Sequence, residues 1–302
     1  MPSPLADADW SLLLSRLERG ACTPFLGAGV HLGRALLPGD IAMKWADEGN
    51  YPLEDRWNFP RVAQFMAVEK GATWVRNDLA ATLSAAKAVD PEDGDEPLNI
   101  LAELPFHTYV TTTHDDLLTR ALRTRTVQRG GKPLPRRPRH DHCRWSDALS
   151  SSSLATPFEE DPHYRPTAEE PFVFHLYGQM AVGDSLVITE EDHFDLLVAT
   201  ARHPTRVPPP VQQALRGGPL LFIGHALADW NFRALSRSLC GGDFSGLQQG
   251  SLTVHAPLAE GSDAVVRMLE KSYAKLGVKV YWGTPQEFLK DLRERWAQRS
   301  RS

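Results

Sequence analysis

The residues best placed to do chemistry in this chain fall in four short groups. The first is Thr23-Pro24-Phe25-Leu26-Gly27-Ala28-Gly29-Val30, an apolar run entering a tight glycine turn. Such a turn, with a helix behind it, lets bare backbone approach a pyrophosphate while helix amides point at the phosphate oxygens. Gly27, Ala28, Gly29 and Val30 are therefore the candidate phosphate contacts. A Gly-x-Gly pair also occurs in plain turns, so the other groups carry as much weight. They are Thr111-Thr112-Thr113-His114-Asp115, His175-Leu176-Tyr177-Gly178 and Gly224-His225-Ala226-Leu227-Ala228-Asp229-Trp230.

Each group needs a strand in front of it, and the sequence supplies one each time. Residues 22–26, 107–112, 172–176 and 220–223 are apolar, β-branched or aromatic runs. The fourth is wholly apolar, as in a buried parallel sheet. A helix with apolar residues Trp10, Leu13, Leu14 and Leu17 precedes the first strand, and Gly20 stops it. Residues 40–83 read as interrupted helix, with a fresh start at Asn58-Phe59-Pro60. Residues 91–97 read as an acidic loop. Residues 130–167, rich in Pro, Ser, Arg and Asp, read as a long irregular insertion. Leu186-Val187-Ile188 reads as a short strand, and Thr189 to Asp192 as a capping box opening a helix. Residues 251–255 and 279–282 close the sheet, and an amphipathic helix over 285–296 ends it. Strands alternating with helices predict an α/β fold, a mostly parallel sheet covered on both faces. Ligands in such sheets bind beyond the carboxyl ends of the strands, so the four groups should meet at one rim.

Composition removes several alternatives. With 302 residues, 42% hydrophobic and 24% charged, the chain is ordinary globular material with an ample core. A net charge of −5 without a long basic run argues against nucleic acid as the main partner. The first twelve residues are acidic where a secretory leader is basic, and no apolar run is long enough for a bilayer, which reads as cytoplasmic. Three scattered cysteines, Cys22, Cys143 and Cys240, exclude a four-cysteine zinc site and a disulfide framework. Arg139-His140-Asp141-His142-Cys143 holds ligand-type residues in a Pro- and Arg-rich context and is read as a solvated loop. No bound metal is expected.

The four groups, in this order, resemble the sirtuin-like NAD-binding domains of bacterial anti-phage defence proteins. That family carries a Gly-Ala-Gly turn, then Thr-Thr-Asn-Tyr-Asp, Leu-His-Gly and Gly-Tyr-Ser-x-x-Asp-Trp segments. The matching residues run from Phe25 to Arg233, and residues 58–68 and the helix after Thr189 are also similar. The resemblance implies a Rossmann-like, sirtuin-like single domain over 1–302. It carries a helical insertion at 40–100, a loop insertion at 130–168 and no zinc module. It implies NAD or ADP-ribose as ligand, bound by Gly27, Ala28, Gly29, Val30, Thr112, Asp115, Gly224 and Asp229. It also implies protein partners from a defence operon and a homo-oligomer.

Two positions depart from the pattern. The Asn of the second segment, needed in active members for cleavage of the nicotinamide–ribose bond, is Thr113 here. The His of the third segment, which acts as the base, is Tyr177. Thr113 lacks the paired donor and acceptor of an amide. A tyrosine titrates near ~10, far from neutral. Loss of one such group commonly costs ~10²–10⁴ in rate. His175 and His114 flank the altered positions. His175 is either a satisfied structural histidine or a substitute base. His114 is either an aromatic stand-in for the usual Tyr or a substitute base. Asp115 and Asp229 each read as a helix cap, and Asp229 could also orient the adenosine side. Three functions follow: an NAD or ADP-ribose sensor or scaffold with a degraded site, an active NAD glycohydrolase, or an assembly subunit with an empty pocket.

Overall fold

The computed structural model of the protein describes residues 5–129, 132–151, 154–225, 250–256 and 263–300, together with Ala234 and Leu239. Seven strands form one sheet: β1 (Thr23–Leu26), β2 (Thr108–Thr111), β5 (Arg139–His142), β6 (Phe172–His175), β7 (Leu220–Ile223), β8 (Ser251–His255) and β9 (Val278–Trp282). Their order is β5-β6-β2-β1-β7-β8-β9, and every pairing is parallel. A separate antiparallel hairpin joins β3 (Thr126–Arg129) to β4 (Lys132–Pro135). The chain begins at the sheet centre, builds one half, then crosses to the other between β6 and β7. That places the topological switch at β1, where ligand crevices open in such sheets.

The short strands alternate strictly. Phe25, Phe172, Phe174, Leu220 and Phe222 belong to one core, while Leu26, Val173, Leu221 and Ile223 belong to the other. The first core is covered by α9 (Glu190–Arg202), α10 (Pro209–Gly217) and α11 (Asp263–Ala274). The second is covered by α1 (Asp7–Glu18), α5 (Pro97–Glu103), α6 (Leu117–Thr124) and α12 (Pro285–Arg299). Both faces are thus dry, which is why the strands read as unbroken apolar runs. A third core joins α2 (Pro38–Gly49), α3 (Phe59–Lys70) and α4 (Ala72–Ser84) around the fully buried Trp45, whose indole N–H donates to Asp78 at 2.7 Å. Gly20, at φ +64°, ends α1, and Pro60 sits in the first turn of α3, both as the sequence predicts.

Two expectations fail. The stretch expected to be irregular contains β4 and β5, with the helical turns α7 (Asp147–Ser150) and α8 (Pro157–Glu160) following. The Arg139-to-Cys143 segment is not a solvated loop: β5 pairs along β6, and Asp141, His142 and Cys143 are buried. Its polar groups are satisfied within the protein. Asp141 accepts from Arg144 at 2.9 Å, and the Gln179 amide lies between His140 and His142 at 3.2 and 3.3 Å. Second, Leu186-Val187-Ile188 is not a strand. Its Ile188 N–H donates to Asp192 in the capping box of α9, and its Val187 N–H donates to the Tyr177 carbonyl.

Candidate functional site

Register brings the four chemical groups level. Leu26 pairs with Thr111 on one side and Ile223 on the other, and Thr111 pairs with His175. The chain therefore leaves β6, β2, β1 and β7 from a single row, at the same edge of the sheet.

The glycine turn has an internal reason. Gly27 N–H donates to the Ile223 carbonyl at 2.8 Å, Gly29 N–H to the Gly224 carbonyl at 3.0 Å, and Val30 N–H to the Gly27 carbonyl at 3.1 Å. A Cβ on Gly29 would lie 2.8 Å from the Gly224 Cα, and one on Gly224 would lie 2.4 Å from the Val30 nitrogen. Gly224 also has φ +76°, where only glycine rests without strain. The turns after β1 and β7 thus interlock backbone to backbone. Three of the four amides expected to face a phosphate already serve this joint. The Ala28 amide is not among those bonds, and Ala28 lines the cleft described below.

After β2 the three threonines turn in different directions. Thr112 donates through its amide to the Leu26 carbonyl at 2.9 Å, fixing the exit of the chain. Thr113 folds its hydroxyl back to that of Thr111 at 2.9 Å, and its amide donates to the same Thr111 oxygen. Asp115 accepts from Leu117 N–H at the start of α6 at 3.0 Å and lies 3.0 Å from His31 Nε2. Burial acts to raise the Asp115 carboxyl, but His31, the Leu117 N–H and His175 together outweigh it and hold the group down at about 2. The cap expected of Asp115 is therefore present, together with a contact to His31 that sequence alone did not suggest.

The histidines beside these turns are not equivalent. His175 is buried, with Nδ1 3.4 Å from the Thr113 carbonyl, and burial pushes it down to about 4. Burial pushes His114 to about 4 and His225 to about 3. Tyr177 meets His193 edge to face, with ring centroids 5.0 Å apart. His193 stands on the first turn of α9, and its Nδ1 lies 2.8 Å from the Thr189 carbonyl.

These groups surround a cleft of about 550 Å³. Ala28, Gly29, Thr112, His114, Tyr177 and Gly224 line it, all anticipated from sequence, and so do His193 and His225. Its opposite wall comes from the helical segment: Leu37, Pro38 and Gly39 at the start of α2, and Trp57 to Pro60 entering α3. Thr113 and Asp115 line an adjoining apolar cavity of about 60 Å³ instead. Val30 faces a different hollow, beside Arg34 and Thr284. His175 and Gly27 line neither the cleft nor the small cavity. Asp229 lies outside the described residues. His193 and Trp57 carried no sequence signal beyond the capping box and the helix start next to them.

The cleft suits a dinucleotide in size. Its volume falls in the range of small-ligand sites. None of its described lining residues is a carboxylate that would repel a pyrophosphate. Among the described residues no group of three or more His, Cys, Asp or Glu side chains could hold a metal, and no helix is long and apolar enough to cross a membrane.

A family model for the SIR2-like domain matches residues 107–281. The match begins at the edge of β2 and runs to β9, so it covers more than half the chain and three of the four groups. The chain belongs to the SIR2-like family, and the Rossmann-like sheet is the fold that membership implies. No curated protein matches it.

Proposed function

We propose that this chain binds an NAD-type dinucleotide, NAD or ADP-ribose, in the cleft at the carboxyl ends of β1, β2, β6 and β7, and that it cleaves NAD slowly. Family membership supports the ligand class. The observation that carries the site is the convergence of Ala28, Thr112, His114 and Tyr177 on one cleft, at the switch of the sheet, whose described lining holds no carboxylate. The slowness follows from two substitutions at separate strand ends. Thr113, where active relatives carry Asn, folds its hydroxyl onto Thr111 and lines the side cavity. Tyr177, at the position of the base, presents a phenol. The resemblance supports work as a sensor or scaffold in the cytoplasm, in a homo-oligomer with protein partners of a defence module. It also leaves room for an NAD glycohydrolase effector.

Calorimetric titration with NAD and with ADP-ribose tests the binding, and failure of both to bind overturns it. Nicotinamide release over hours tests the rate. The double change Thr113→Asn with Tyr177→His should exceed wild type, and brisk wild-type turnover would contradict the slow reading.

A further inference from the structure

We propose that His193 is the base for hydrolysis of the nicotinamide–ribose bond in this cleft, an assignment that rests on the dinucleotide-binding reading above. Position comes first. His193 lines the cleft and packs edge to face on Tyr177, the residue at the family's base position. The imidazole therefore stands next to the place that the side chain has vacated.

Tautomer comes second. A backbone carbonyl can only accept a hydrogen bond, so the 2.8 Å contact to the Thr189 carbonyl requires the proton on Nδ1. Nε2 is then the proton-accepting nitrogen, whichever hydroxyl or water donates to it. The capping box holds this arrangement. Thr189 Oγ1 accepts from Asp192 N–H at 3.2 Å, and the Asp192 carboxylate accepts from Thr189 N–H at 2.9 Å.

The neighbouring histidines are worse placed. His114 Nδ1 and His175 Nε2 are buried away from water and have no hydrogen-bond partner among the described residues. His175 does not line the cleft. Burial also makes both weak proton acceptors, at about 4.

In the step, the water oxygen forms a bond to C1′ of the ribose. The C1′–nitrogen bond breaks with its electron pair going to the ring nitrogen, which releases neutral nicotinamide. His193 Nε2 takes the water proton and passes it to solvent. The products are ADP-ribose, nicotinamide and one proton, and atoms and charge balance.

Three measurements test this on the full chain. Nitrogen-15 NMR of the imidazoles should show His193 protonated on Nδ1 without any ligand; a proton on Nε2 in the neutral ring overturns the assignment. His193→Ala should still bind ADP-ribose within about threefold of wild type while nicotinamide release falls at least tenfold. In His193→Gly, added imidazole should restore part of the release, as a packing role would not. Equal release by wild type and His193→Ala overturns the assignment, and so does a wild type that binds ADP-ribose but releases no nicotinamide. Failure of wild type to bind NAD or ADP-ribose overturns the binding reading itself, and this assignment with it.

Discussion

Glycines that line the cleft do two different jobs, and substitution separates them. Gly224 holds a left-handed conformation against the Val30 and Gly27 backbone. Gly224→Ala should destabilise the protein by more than the ~1–2 kcal/mol that the left-handed region alone costs, because the new methyl group meets backbone that cannot yield. Gly29→Val should behave similarly, so it cannot report on nucleotide binding alone. Gly39 is the contrast. It lines the cleft, and the nearest atom to an added Cβ is the Trp57 carbonyl oxygen at 3.8 Å. Gly39→Phe should therefore leave the melting temperature within about 2 °C while weakening NAD affinity at least tenfold, about 1.4 kcal/mol. Unchanged affinity in that variant would place the dinucleotide elsewhere.

At the scale of elements, the sheet edge depends on a buried arginine that no motif announced. Arg136, 3% exposed, precedes β5. It donates to the carbonyls of Ala102, Leu104 and Phe106 at 2.7–2.9 Å and to the Tyr109 hydroxyl at 3.2 Å. Two of these carbonyls close the end of α5, where a cation also meets the negative pole of the helix. Arg136→Met should cost about 3–5 kcal/mol, because it strands these buried acceptors. Urea unfolding measures that directly, and a loss under 1 kcal/mol would show that water replaces the guanidinium. The α2–α4 layer has a different role. It supplies one cleft wall, and α3 packs on α9, the helix that carries His193. The two walls of the cleft are therefore mechanically joined.

Across the whole molecule, buried histidines set the response to acid. His114, His175 and His225 are held neutral, at about 4, 4 and 3, against 6.5 in an unfolded chain. Below pH 6.5 the unfolded state binds these protons and the native state does not, so stability falls as pH drops toward about 4. Each such histidine contributes ~1.4 kcal/mol per pH unit in that window. Asp115 acts later. Its depressed carboxyl stabilises the fold above pH 4, and that contribution, about 2 kcal/mol, is lost as pH falls through about 2. Melting temperature should thus decline between pH 6.5 and 4, and His225→Phe should flatten the decline. A flat profile for wild type would contradict the buried neutral imidazoles.

The parallel sheet was legible from sequence because Phe172 to His175 and Leu220 to Ile223 are buried on both faces, and such strands announce themselves without long-range information. The helix at Thr189 was legible because capping is local chemistry. Strand β5 was not. Asp has low strand preference, a run of Arg, His and Asp lacks the apolar pattern of a strand, and only the neighbouring β6, Arg144 and Gln179 make its burial tolerable.

The same division runs through the site. The chain order of the four groups, their strand-end positions and the losses at Thr113 and Tyr177 are properties of the sequence itself. Whether a given amide or imidazole can serve a ligand was decided by tertiary structure. The Gly29 amide is used by Gly224, His175 is closed off by packing, and His193 is turned toward Tyr177 by a carbonyl of its own helix. Hydrogen-bond capacity and access to water depend on partners distant in sequence, and no local pattern encodes them.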